Sequence, residues 1–135
     1  MNDTDNKIAA LLPQWGITFG ARYVGETVLD NDWQCDAWRV KFAGFETDYF
    51  MGLGNRNKKT GRPVAPTAAS VLYSLVSDSN ALYSSFKHWC DDYGYDSDSI
   101  KAFDTYRACC EIGEKLAKVF TRVQMNELRE LLQDY

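Results

Sequence analysis

The side chains with the richest chemistry in this sequence are His88, Cys90, Cys109 and Cys110. Imidazole and thiolate are the ligands zinc prefers in a tetrahedral site, and a cysteine beside a histidine can serve as a nucleophile with its base. The spacing supports neither chemistry. No C-x-x-C pair occurs, and His88 is the sole histidine, set between Lys87 and Trp89 off the best apolar stripe. It reads as a surface residue, which narrows any acid–base scheme. With Cys35 there are four cysteines, too few for a disulfide framework, and they read as reduced thiols.

A second candidate is "YFMGLGNRNKKTGRPVAPTAA", residues 49–69, with Gly52, Gly54 and Gly61 among the bases Arg56, Lys58, Lys59 and Arg62. A Walker-type loop needs G-x-x-x-x-G-K-[ST], whose amides, lysine and hydroxyl meet phosphates and magnesium. Here Gly61 is followed by Arg62-Pro63, and proline removes an amide where one is needed. The pair Gly52-x-Gly54 is not completed as a dinucleotide fingerprint, because the next required glycine is Asn57. The stretch reads as a basic strand-to-helix loop, about residues 52–66. Its four bases form a candidate electrostatic contact to phosphates or to an acidic protein patch.

A third candidate is the run Asp91, Asp92, Asp96 and Asp98. Gly94 precedes Asp96 and no late glutamate closes the run, so a calcium loop is not formed. Part of it is helix-end chemistry, since Asp98 and Ser99 suit the start of a helix. The functional alternative is an acidic partner-binding face that occupies a basic groove on another protein or imitates a phosphate backbone.

Charge and composition frame these candidates. The chain has 135 residues with formal charge -4, and is 45% hydrophobic with four Trp, seven Phe and eight Tyr. That suits one domain spanning 1–135 and is too apolar for disorder. Only MNDTDNK, residues 1–7, reads as a loose polar tail. Residues 2–48 hold eight acids and four bases, 49–77 four bases and no acid, and 78–111 seven acids and three bases. An acidic balance disfavours a general grip on nucleic acid. No apolar run of the roughly 18 residues that span a bilayer occurs, and no secretory pattern opens the chain, so a cytoplasmic protein without membrane contact is expected.

The elements that would position these residues follow from periodicity. "WGITFGARYV" puts Ile17, Phe19, Ala21 and Tyr23 on one side of a strand. "WQCDAWRVKFAGF" alternates after a parity change near Asp36, which predicts a bulge there or a strand beginning only at Ala37. "FETDYFMGLG" supplies a third strand. Thr67 then caps a helix holding Val71, Leu72 and Leu75. A break at Ser77–Asn80 precedes a helical stripe of Leu82, Phe86, Trp89 and Tyr93, stopped by Gly94. "DSDS" caps a longer helix, and Thr121 with Gln124 has capping-box spacing. The prediction is an α+β fold: a short N-terminal antiparallel sheet of about three strands with three to four C-terminal helices. Trp33, Trp38, Phe42, Phe45, Tyr49 and Phe50 form either a stacking platform or, more simply, the core. The aromatics exceed what a core of this size needs, so some are expected on a partner surface.

Read with those strands, "PTAASVLYSLVSDSNALYSSFKHWCDDYGYDSDSIKAFDTYRACCEIGEKL" resembles small acidic proteins carried by bacterial phages and prophages, some of which act as anti-CRISPR inhibitors. The likeness lies in the proline–threonine helix start, "SFKHWCDDYGYDSDS" and "YRACC". It implies stoichiometric binding to a host defence complex, such as a CRISPR effector subunit, and carries over no catalytic residue. The expectation is a non-enzymatic interaction protein with no cofactor or metal. The competing expectation is a nucleic-acid-binding accessory protein that uses the basic 56–62 loop.

Overall fold

A computed structural model describes residues 2–135; Met1, part of the expected loose tail, lies outside the described residues. The chain divides into two compact units, Met1–Val71 and Leu72–Tyr135. Helix α1 (Asp3–Gln14) occupies most of the stretch read as a loose tail, and corrects that reading. Its polar start is a cap. The Asn2 side chain accepts from the Asp5 amide (2.8 Å), while the Asp5 carboxylate accepts from the Asn2 amide (3.2 Å). Ile8 and Leu12, one turn apart, are buried.

Strands β1 (Phe19–Val28), β2 (Gln34–Phe42) and β3 (Phe45–Gly52) form an antiparallel sheet in that spatial order. The α+β prediction holds: helices follow the sheet. The registers Phe19–Phe42, Ala21–Val40 and Tyr23–Trp38 align one face, on which Val40, Phe42 and Trp38 are buried. Beyond Tyr23 the pairing slips. Gly25, not Val24, lies opposite Ala37, so Val24 is the extra residue of a bulge. Gly25 has φ of 146°, a conformation that L side chains rarely adopt. The irregularity expected near Asp36 therefore sits in β1, and β2 runs unbroken. The connection between β2 and β3 is short, and Ala43 takes φ of 51° within it.

Thr67 caps α2 (Ala68–Ser79) as predicted, its hydroxyl accepting from the Ser70 amide (3.1 Å) and donating to Asp5 (2.8 Å). One buried carboxylate thus serves the starts of both α1 and α2.

In the second unit a 3₁₀ turn (Asn80–Tyr83) leads to α3 (Phe86–Tyr93), α4 (Ile100–Val119) and α5 (Arg122–Leu132). The expected single stripe over Leu82–Tyr93 is interrupted. Leu82 belongs to the 3₁₀ turn, and α3 begins only after Ser85, whose hydroxyl accepts from the His88 amide (3.2 Å). Ser99 caps α4, and the Thr121–Gln124 box caps α5 as the spacing predicts. Leu116, Phe120 and Leu128 are buried, and Trp89, Cys90, Ala81 and Ala102 form a second buried cluster. Gly113 lets α4 approach the 3₁₀ turn closely: a Cβ there would lie 3.2 Å from the Ser79 carbonyl oxygen and from Leu82 Cδ2. Among the described residues, no helix is long and apolar enough to cross a membrane.

Candidate functional site

In the first unit the β1 bulge has a direct electrostatic consequence. By adding one residue it places Glu26 opposite Asp36, on the face shared by Trp38, Val40 and Phe42. Two acids there require a cation, and Arg56 supplies it from 20 residues away. Its Nε donates to Asp36 Oδ2 (2.9 Å) and its Nη2 to Asp36 Oδ1 (2.6 Å) and Glu26 Oε1 (2.7 Å). The Tyr23 hydroxyl donates to Asp36 Oδ1 (2.9 Å). The Asp36 side chain is 3% exposed, against 26% for Arg56 and 58% for Glu26. Hydrogen bonding from Arg56 holds the Asp36 carboxyl below the usual carboxylate range, although burial pushes it the other way. Burial, and then Asp36, raise the Tyr23 hydroxyl.

Arg56 is thereby removed from the four candidate contact bases: it is an internal anchor. The other three, Lys58, Lys59 and Arg62, are exposed on a closed ring. The Asn57 amide donates to the Arg62 carbonyl (2.9 Å) and the Gly61 amide to the Asn57 carbonyl (2.8 Å). The Asn57 side-chain oxygen accepts from the amides of Lys59 (2.9 Å) and Thr60 (3.1 Å). Gly61 has φ of 67°, the left-handed region glycine tolerates.

In the second unit the four candidate aspartates are all exposed, Asp91 and Asp92 in the last turn of α3 and Asp96 and Asp98 in the connection to α4. Gly94 ends α3 with φ of 74°, and the Tyr95 amide closes back on the Cys90 carbonyl (2.9 Å). The Tyr95 ring stacks on Trp89 with centroids 4.7 Å apart. Asp96 Oδ1 accepts from the Asp98 amide (2.9 Å), and Asp98 precedes the α4 N-cap, so both have local reasons to be acidic. Asp91 and Asp92 do not. They sit in the last turn of α3, where the helix dipole disfavours negative charge. Asp92 meets the exposed His88 ring there, at 3.3 Å.

Exposed apolar groups flank the acids: Tyr93 (54%), Tyr95 (45%), Ile100 (80%) and Phe103 (43%). The aromatic surplus of the sequence predicts such exposed rings but does not identify them. The aromatics of β2 and β3 do not form a stacking platform, since Trp38, Phe42 and Phe45 are buried.

His88 and the cysteines do not assemble. His88 points outward, whereas Cys90 lies in the core cluster with Cys109 and Cys110 packed against it. Among the described residues no group of three or more His, Cys, Asp or Glu could hold a metal. All four cysteines are free thiols. Burial raises the Cys35 and Cys90 thiols, and burial followed by Asp78 raises Cys109 to about 11, so these sulfurs are poor nucleophiles at neutral pH. Comparison with family models, curated proteins and solved structures returns no match.

Proposed function

We propose that this chain is a non-enzymatic protein-interaction module, acting as a stoichiometric inhibitor of a bacterial defence complex in the manner of phage-encoded anti-CRISPR proteins. The observation that carries this reading is the pairing of Asp91 and Asp92, at the unfavourable end of α3, with exposed Tyr93 and Tyr95 beside them. Acids placed against a helix dipole cost stability, and exposed aromatic rings gain nothing from water. Both costs are offset if a basic partner covers the segment. Tyrosines then supply the desolvated anchor, and the acids steer the encounter and reject partners of like charge.

The test is affinity purification with mass spectrometry from a host carrying candidate defence systems, followed by titration calorimetry with the purified component. Saturable binding at fixed stoichiometry is expected. It should be lost when Asp91, Asp92, Asp96 and Asp98 are all replaced by Asn, and weakened at least about tenfold by Tyr93→Ala. Absence of any saturable partner, or unchanged binding by the fourfold variant, overturns the assignment.

A further inference from the structure

We infer that the ring Asn57–Arg62 is a contact for the phosphate backbone of nucleic acid, held in position by the Arg56 anchor. This stands apart from the protein-interaction reading and uses a different unit of the molecule. Three observations lead to it.

The first is that the charge on the ring is uncompensated by construction. Residues 49–77 contain no acid, and among the described residues no ion pair involves Lys58, Lys59 or Arg62. The one base of the stretch that does find carboxylates is Arg56, which fixes the foot of the ring to Asp36 and Glu26. The second is preorganisation. The ring is closed by its own backbone and by the Asn57 side chain, so little loop entropy remains to be lost on binding.

The third observation selects the ligand. The amides of Asn57, Lys59, Thr60, Gly61 and Arg62 all donate within the ring, the last to the Thr60 hydroxyl. These five cannot join in cradling one phosphate as the amides of a nucleotide-binding loop do, so anions must be met chiefly by side chains. Three separate cations suit several phosphates of a polymer better than a single nucleotide. The ring also carries no apolar side chain to serve as the desolvated anchor that a protein partner uses. Point charges without base-edge readers give binding that ignores sequence.

The experiment is fluorescence anisotropy with an end-labelled single-stranded DNA of ~20 nucleotides and with its duplex, at several salt concentrations. The expected Kd is on the order of 10–100 µM at low salt, and it should weaken with a log–log salt slope of about 2–3, as three phosphate contacts predict. The triple variant Lys58→Gln, Lys59→Gln, Arg62→Gln should bind at least about tenfold more weakly and lose most of the slope. Its melting temperature should be unchanged, because the three side chains are exposed. Failure of the wild type to bind at low salt, or an unchanged slope in the triple variant, overturns the inference. Stronger binding to polyglutamate than to the oligonucleotide also overturns it, in favour of an acidic protein partner. None of these results depends on Asp91, Asp92, Asp96 or Asp98, so this inference and the protein-interaction reading fail separately.

Discussion

The two units handle charge in opposite ways. Met1–Val71 holds eight bases and eight acids, and places two of the acids, Asp36 and Glu26, on the apolar face of its sheet. Leu72–Tyr135 holds seven bases and eleven acids, carries the whole formal charge of -4, and keeps Asp91, Asp92, Asp96 and Asp98 in solvent. In the first unit charge is structural: Arg56, Asp36, Glu26 and Tyr23 join a loop to a sheet. In the second, charge decorates a surface whose framework is apolar packing and helix caps. Residues of the same type therefore answer different questions. Removing Asp36 tests folding, whereas removing Asp91 tests recognition.

Substitutions can break that contrast, and the largest effect is expected at Arg56. Arg56→Met leaves the Asp36 carboxylate buried without its cation, and the melting temperature should fall by about 10 °C or more. The pH dependence gives a sharper reading. Because Arg56 depresses the Asp36 carboxyl, the pair stabilises the native protein above the ordinary carboxylate range, and that contribution is lost as pH falls through the depressed value. The gap between wild type and variant should therefore narrow between pH ~7 and pH ~3, as thermal melts across that range would show. A constant gap would mean that Arg56 acts through packing.

In the helical unit the corresponding sensitivity is steric. Gly113→Val drives a branched side chain toward Ser79 and Leu82, and should cost about 1–3 kcal/mol by urea denaturation, with no pH dependence of the Asp36 kind. A smaller effect of opposite sign is expected at the β2–β3 connection. Ala43→Gly relieves the positive φ but frees the unfolded chain, for a net gain of up to about 1 kcal/mol, measured the same way. The smallest effect belongs to the acidic segment. Replacing Asp91, Asp92, Asp96 and Asp98 by Asn should move the melting temperature by no more than ~2 °C, since all four are exposed and asparagine keeps the turn acceptor at Asp96. A large fall would place these residues with Asp36 as structural and erase the contrast.

What could be read from sequence follows the range of the interactions involved. Thr67, Ser99 and Thr121 announce helix starts, and Gly94 announces an end, because caps act over three or four residues. Helix α1 was legible as well. Asn2 and Asp5 have capping spacing and Ile8 and Leu12 are one turn apart, but aspartate in place of Glu or Gln, within a polar run, concealed the signal. The parity change at Asp36 reflects a buried Cys35 and a buried carboxylate, not a bulge in β2. Asp36 belongs with Trp38, Val40 and Phe42 on the buried face, and the residue out of step is Cys35, also buried.

Taken alone, then, the sequence determined the strands, the helix caps, the α+β order and the segregation of charge along the chain, all consequences of periodicity and neighbouring residues. Tertiary structure alone decided which charges are internal and which are exposed. A pattern counts aspartate as outward-facing, because a buried carboxylate is unfavourable without a cation. The cation here arrives from 20 residues along the chain and joins a second acid 30 residues from itself. Only the bulge at Val24, the slipped register and the course of the loop bring those three side chains together, which leaves Lys58, Lys59 and Arg62 outside as the exposed cations of the basic loop.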